Sequence, residues 1–178
     1  MSDRHRIPLF IGFLITTINQ VFLASMFLAM VSVYIYPLGC IVRAIGWLIL
    51  GAKDRASAIA SGLAILFLFP LVYLCFLKPE LIWRTLSIDK SKVVGFALIL
   101  WSIYSTIELV NYILLASYTR LFYVSTVSAI SIVYVIAKVL TTTIKLENLG
   151  ELYPAVFPLL ISALASCIGS LKIHNRND

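Results

Sequence analysis

A single acidic side chain lies deep inside a long apolar stretch, and chemistry is expected there first. Glu108 stands near the middle of residues 93–117, which are otherwise free of formal charge. A charge at membrane depth costs on the order of 3 kcal/mol even on lenient insertion scales. Glu108 is therefore expected to bind a proton or cation, to pair with a partner subunit, or to accept hydrogen bonds from Asn111 and hydroxyl groups of a neighbouring helix.

Two predicted helices carry their polar residues on one side. Side chains three or four residues apart share a helix face. In 93–117 the polar stripe contains Trp101, Tyr104, Ser105, Glu108, Asn111 and Tyr112. In 120–144 it contains Arg120, Tyr123, Ser131, Tyr134, Lys138 and Thr141, and it continues to Lys145 just beyond. Such a stripe either lines an aqueous path or packs against another helix, because polar groups join helices in lipid.

Lys138 is the obvious cation to test as a partner for Glu108. Counted from the tight turn near 118–119, the two backbone positions differ by about 13 Å in height along the hairpin, at 1.5 Å per residue. Direct pairing is therefore strained. The residues at the depth of Glu108 are those around Ala129, flanked by Ser128 and Ser131.

The first apolar stretch adds a polar cluster of its own, formed by Thr16, Thr17, Asn19 and Gln20. Amides at membrane depth require partners. This cluster is expected either to complete a polar centre around Glu108 and Asn111 or to bind a helix of another chain. Small residues at four-residue spacing, such as Ser162, Ser166 and Ser170, indicate close helix packing.

Other kinds of chemistry have little support. Cys40, Cys75 and Cys167 are far apart in apolar stretches, and His5 and His174 lie near the termini. Neither a metal or haem site nor a redox pair is predicted. Catalytic motifs of intramembrane proteases and phosphate enzymes are missing. We expect no cofactor and no enzymatic activity, with a lipid-acting enzyme as a third, minor hypothesis.

The composition explains why so few polar groups are candidates for a functional site. Of 178 residues, 61% are hydrophobic and 12% charged, with a mean hydropathy of +1.01. Soluble domains have about 25% charged residues, and disordered segments are more polar still. Lipid is therefore the expected surroundings. The net charge of +6 fits loops beside anionic lipid and does not indicate nucleic acid.

A membrane-spanning helix needs about 20 apolar residues. The sequence predicts an all-α, polytopic transmembrane helical bundle that forms a single membrane domain, 1–178. Five spans are expected at about 8–34, 56–77, 93–117, 120–144 and 153–171. A break is predicted near Pro37 and Gly39, after which 37–52 is an interfacial segment, a re-entrant segment or a short sixth span.

Orientation is weakly encoded in this five-span division. Lys and Arg residues outside the spans divide seven against six, so the positive-inside rule barely decides. The dense basic loop 78–92 favours a cytoplasmic N-terminus. A multi-pass protein of a plasma or inner membrane is expected.

Two functional hypotheses remain. In the first, the bundle transports or conducts a small solute or ion, as a homo-oligomer or with a membrane protein partner. In the second, it is a non-catalytic subunit or regulator that binds another membrane protein through its polar helix faces. The candidate residues for either role are Glu108, Asn111, Ser131, Tyr134, Lys138, Thr16, Asn19 and Gln20.

Overall fold

The structure, a computed structural model, describes residues 6–25, 29–53 and 56–173. This part of the chain contains helices and no strand. The α-helices are α1 (Arg6–Ala24), α2 (Ala29–Lys53), α3 (Ala56–Leu77), α4 (Pro79–Leu86), α5 (Val93–Leu115), α6 (Leu121–Ser125), α7 (Ser128–Thr141) and α8 (Val156–Leu171). Short 3-10 helices, Lys90–Lys92 and Leu146–Ala155, precede α5 and α8.

Six helical segments in the described residues are long and apolar enough to cross a membrane. They are α1, α2, α3, α5 with the preceding 3-10 turn, α6 with α7, and α8 with the 3-10 helix before it. The prediction of an all-α membrane bundle is confirmed. The count is six rather than five, which agrees with the alternative of a sixth crossing around 37–52.

The predicted break near Pro37 and Gly39 is wrong. Both residues lie inside α2, and the helix predicted at 8–34 is divided instead between α1, which ends at Ala24, and α2, which begins at Ala29. A break at 37 would have left a second segment too short to span about 30 Å of hydrocarbon. In lipid a helix satisfies its own backbone, so the group that Pro37 frees costs less than an interrupted span.

The spanning helices form a closed ring in chain order. Helix α1 packs on α2, α2 on α3, α3 on α5, α5 on α6 and α7, these on α8, and α8 again on α1. We call the end of the bundle at which α4 lies the α4 end. The opposite end, where Arg6 and Ile173 lie, is the terminal end. The ring turns many large aliphatic side chains outward, as lipid requires, and buries polar side chains among apolar ones inside.

Glycines set how closely α1 and α2 approach. A methyl group on Gly12 would lie 2.6 Å from the backbone nitrogen of Arg43, and one on Gly46 would lie 2.8 Å from that of Leu9. Both distances are well inside van der Waals contact. Only glycine therefore allows the two backbones to pack at this separation, which brings α1 directly against the part of α2 that carries Arg43.

Candidate functional site

A buried ion pair joins two helices across the ring. The Nε atom of Arg43 in α2 lies 3.2 Å from Oε1 of Glu108 in α5, and the two side chains are only 6% and 7% exposed. The indole N–H of Trp47 donates a 2.9 Å hydrogen bond to the same oxygen. Among the described residues, Arg43 and Glu108 are the only charged ones that are buried.

The two helices bring the pair to one level. Arg43 lies about 21 Å and Glu108 about 22 Å along the helix axes from the residues at the α4 end where α2 and α5 begin, at 1.5 Å per residue. The guanidinium of Arg43 also lies over the ring of Phe13 in α1, 5.4 Å from its centroid. A cation over an aromatic face gains electrostatic energy, which partly offsets the loss of water.

A small polar cavity lies on the α4 side of the pair. It measures about 40 Å³ and is lined by Arg43 and Glu108 together with side chains of α1, α2, α5, α7 and α8. The neutral polar groups on its wall include Thr16, Gln20, Tyr36, Tyr104, Ser105 and Ser162. The sequence predicted that the polar cluster of the first span either completes a polar centre around Glu108 and Asn111 or binds another chain. Thr16 and Gln20 line this cavity with Glu108, whereas Asn111 does not.

Two features of the wall bear on what the cavity holds. The hydroxyl groups of Tyr36 and Tyr104 are 2.7 Å apart and hydrogen-bonded. The side-chain oxygen of Gln20 is buried and has no hydrogen-bond partner. Buried polar atoms nearly always have a protein, water or ligand partner. The Gln20 oxygen is therefore free to accept a hydrogen bond from a water molecule or a polar ligand in the cavity.

An aromatic plug closes the interior on the terminal side of the pair. It consists of Phe13, Trp47, Tyr112 and Phe122, all buried. Neighbouring rings in this group have centroids 5.7–6.3 Å apart, within the range of favourable aromatic pairs. The hydroxyl group of Tyr112 lies beside Glu108. The interior therefore has a cavity toward the α4 end of the pair and packed aromatic rings toward the terminal end, and Tyr112 contacts both.

The backbone between α6 and α7 narrows locally to a 3-10 helix, and serine side chains surround this stretch. Residues 126, 127, 129 and 130 donate to carbonyls three residues earlier, as in a 3-10 helix. The Ser125 carbonyl accepts hydrogen bonds from Ser128 at 3.0 Å and from Ser162 of α8 at 2.6 Å. The helix predicted at 120–144 is thus two helices, and a 3-10 stretch inside a longer helix often marks a hinge.

Of the eight predicted site residues, the structure brings Glu108, Thr16 and Gln20 together at the cavity. Two others join helices elsewhere. Asn19 accepts a hydrogen bond from Ser32 of α2 at 2.6 Å, and Asn111 accepts one from Ser57 of α3 at 2.9 Å. Both pairings fit the packing role that polar residues have in lipid.

The remaining three predicted residues contact the segment that precedes α8. Ser131 donates to the carbonyl of Ala155 at 2.7 Å, and Tyr134 donates to the carbonyl of Glu151 at 2.7 Å. Lys138 pairs with the Glu151 carboxylate at 3.0 Å. The cation considered for Glu108 therefore has a different partner, as the difference in height required.

The Lys138 contact predicts a weak effect on stability. Both partners are partly exposed, 30% and 44%, and exposed ion pairs contribute little. We expect Lys138→Met to leave the unfolding transition in detergent nearly unchanged, measured by circular dichroism. Glu151→Gln serves as its matched partner variant. A large shift for either would mean that this pair is shielded from water in the folded protein.

Sequence reasoning missed Arg43 and Trp47. The five-span division placed them in the segment 37–52, predicted to be interfacial, re-entrant or a short sixth span, and arginine and tryptophan are ordinary at a membrane interface. The signal that would have found Arg43 is its position among apolar residues on both sides, together with the need of Glu108 for a cation. A six-span division puts both charges inside spans, and mutual neutralisation then becomes the simplest solution.

No group of three or more histidine, cysteine or acidic residues suited to a metal ion is found within the described part of the chain. The chain matches no family model, no curated protein and no solved structure. The buried pair, which we call the Arg43–Glu108 centre, is therefore the feature of the structure that bears most on function.

Proposed function

We propose that the protein moves a small polar solute or ion across a membrane, and that the Arg43–Glu108 centre is the binding point on its route. The observation that supports this most is the asymmetry about the buried pair. The cavity lies on one side of the pair and the aromatic plug on the other. A binding point with space on one side and packed side chains on the other suits gated or alternating access.

The energetic cost of the centre supports a role beyond packing. A buried ion pair is often no more stabilising than apolar residues of similar volume. The polar wall, with the unpaired oxygen of Gln20, adds further desolvation cost. Groups that cost stability and converge on one cavity are typical of functional sites.

Passage to the terminal end requires the plug to open. Phe122 belongs to α6, and the 3-10 stretch that follows α6 is adjacent to Ser128 on the cavity wall. Rotation of α6 about this stretch would withdraw Phe122 from its stacked contact with Tyr112, whose centroid is 6.0 Å away. The plug and the cavity wall are therefore coupled through one short segment.

The alternative function, a regulator that binds another membrane protein through polar helix faces, is less favoured by the contacts. Ser131, Tyr134 and Lys138 use their polar groups on the chain's own segment 151–155. The helix faces that point outward carry mainly aliphatic side chains. A homo-oligomer or a partner subunit remains a prediction from the sequence.

The six-span arrangement changes the grounds for the expected orientation, because the basic loop 78–92 lies at the α4 end, opposite Arg6. Seven basic residues flank the terminal end in sequence: Arg4, Arg6, Lys53, Arg55, Arg120, Lys172 and Arg176. Five flank the α4 end: Lys78, Arg84, Lys90, Lys92 and Lys145. The positive-inside rule then favours a cytoplasmic terminal end. The cavity would face away from the cytoplasm.

Cysteine labelling tests whether the interior is wet. In a chain whose native cysteines are replaced, Ser105→Cys is expected to react with silver ion, a single-atom thiol reagent that fits the cavity, added from the α4 side, because Ser105 lines the cavity. Ile103→Cys on the lipid face of the same helix, 46% exposed in the isolated chain, is the matched control and should not react. Equal protection of both positions would contradict a wet cavity.

Flux in liposomes tests movement itself. Purified protein is reconstituted and exposed to gradients of neutral, cationic and anionic solutes of a few heavy atoms. We expect passage of at least one class above empty vesicles. If no class passes, even when applied from either side, the proposed function is wrong.

A further inference from the structure

The cation of the central pair has unused hydrogen-bonding capacity. A guanidinium carries five N–H donors in a planar fork, yet Arg43 approaches Glu108 only through Nε, and that approach is not a well-aligned hydrogen bond. Within the described residues, no hydrogen bond from its terminal amino groups is found. Arg43 is 5% exposed and lines the cavity.

The anion of the pair is much better satisfied. Glu108 Oε1 accepts from the Trp47 indole and faces Arg43, and the Tyr112 hydroxyl lies beside the same carboxylate. The group at the cavity that still has free hydrogen-bonding capacity is therefore the cation, the Arg43 guanidinium. A guanidinium fork binds oxyanions through two parallel hydrogen bonds, which is its strongest mode of recognition.

Charge balance decides what must accompany such an anion. The Arg43–Glu108 centre is neutral, and one added anion would leave a net negative charge in a buried site, which is costly. The titratable groups near Glu108 come from α2 and α5: Arg43, Tyr36, Cys40, Tyr104 and Tyr112. From α1, α7 and α8 the cavity wall receives no titratable side chain. Glu108 is the acidic group of the centre, and one proton on its carboxylate would restore neutrality when an anion binds.

We infer that the cavity binds a small planar monovalent oxyanion on Arg43 together with one proton on Glu108. This inference rests on the proposed function and names its substrate class and coupling. The anion enters the guanidinium fork, and the Glu108 carboxylate takes one proton from a hydronium ion of the solution on the side of entry and becomes a neutral carboxylic acid. One O–H bond of the hydronium ion breaks and leaves water, one O–H bond forms on Glu108, and no electron is transferred. The centre is neutral before and after.

The size of the cavity sets the size of the anion. At about 40 Å³ it offers room for about three water-sized groups. Formate and nitrate, with three and four heavy atoms, are of this scale. Hydroxyl groups of Ser105, Ser162 and the Tyr36–Tyr104 pair line the same space, so donors are present for the oxygens that Arg43 does not bind.

Nitrate is the sharper probe, because its conjugate acid is negligible near neutral pH and carries no proton through lipid unaided. Proteoliposomes containing the full chain are given an inward nitrate gradient, with a pH dye inside. We expect nitrate uptake, luminal acidification by one proton per nitrate, and no response of uptake to a membrane potential set by potassium and valinomycin. Sulfate, a divalent anion, should not be taken up.

Variants locate the two roles. Glu108→Gln removes the proton acceptor, so any remaining nitrate uptake should become sensitive to the membrane potential and lose its acidification. Arg43→Lys keeps the charge without the planar fork, and should weaken nitrate protection of Ser105→Cys against labelling by about tenfold. Arg84→Lys, outside the cavity, is the control. The ratio of protons to nitrate is measured on the unmodified chain, so that test does not depend on whether either variant folds.

Each outcome decides between the two proposals. Electroneutral uptake of nitrate with one proton supports the inference. Potential-driven nitrate uptake without acidification overturns the proton coupling. Passage of neutral or cationic solutes alone overturns the inference and leaves the proposed function in place. Passage of no solute overturns both.

Discussion

Arg43→Met is expected to lower the free energy of unfolding by about 3–5 kcal/mol, because it leaves the Glu108 carboxylate buried without its cation. Methionine preserves most of the length of the arginine stem, so the loss reports the charge rather than a cavity. The measurement is unfolding by sodium dodecyl sulfate in mixed micelles, followed by circular dichroism.

A double variant separates the pair from its individual residues. Arg43→Met combined with Glu108→Leu replaces both charges by apolar groups, and such replacements of buried pairs are often neutral or stabilising. We expect the double variant to recover more than half of the stability lost in Arg43→Met. Arg84→Met, an exposed guanidinium over Trp83, is the control and should change stability little. Additive losses in the double variant would show that the two charges are not coupled.

Stability and transport should respond in opposite ways in this double variant. If the pair is retained for function rather than for stability, the double variant is folded and inactive in liposome flux. This separation is the reason for measuring both properties on the same preparation. It also distinguishes a transport centre from a structural ion pair, which would tolerate the apolar replacement without loss of flux.

The fold was predictable wherever charged residues bound the apolar runs. Lys53 and Lys78 enclose α3, and the basic loop 78–92 sets the start of α5, so the bounds of both follow from the sequence. The charge-free run 7–42 gave no such boundary. There, Pro37 and Gly39 were the strongest local signals of a break, and the requirement for two full crossings overrode them.

The site was predictable only in part. Glu108 stood out because its burial cost is large regardless of fold, and Thr16 and Gln20 stood out as amides and hydroxyls inside a span. The partner of Glu108 depended on which helices become neighbours in the ring, which no spacing within one helix encodes. Once the first run was divided wrongly, Arg43 lay outside any predicted span and its charge needed no explanation.

The same close packing that places Arg43 makes Gly12 a sensitive glycine to test. In Gly12→Ala the added methyl group would lie 2.6 Å from the backbone nitrogen and 2.7 Å from the Cα of Arg43. Backbone atoms cannot rotate away as a flexible side chain does, so α1 must move outward. We expect a loss of about 1–3 kcal/mol in the free energy of unfolding, typical of overpacked cores, together with reduced flux.

Gly95→Ala makes the same chemical change where there is room. Its added methyl group meets only Val139, at 3.8 Å, an ordinary contact. Because alanine favours a helix over glycine by up to about 1 kcal/mol, this variant should be unchanged or more stable. Flux should persist in Gly95→Ala and fall in Gly12→Ala if the position of α1 against Arg43 sets the geometry of the centre. Equal behaviour of the two variants would mean that the α1–α2 approach at Gly12 does not govern the site.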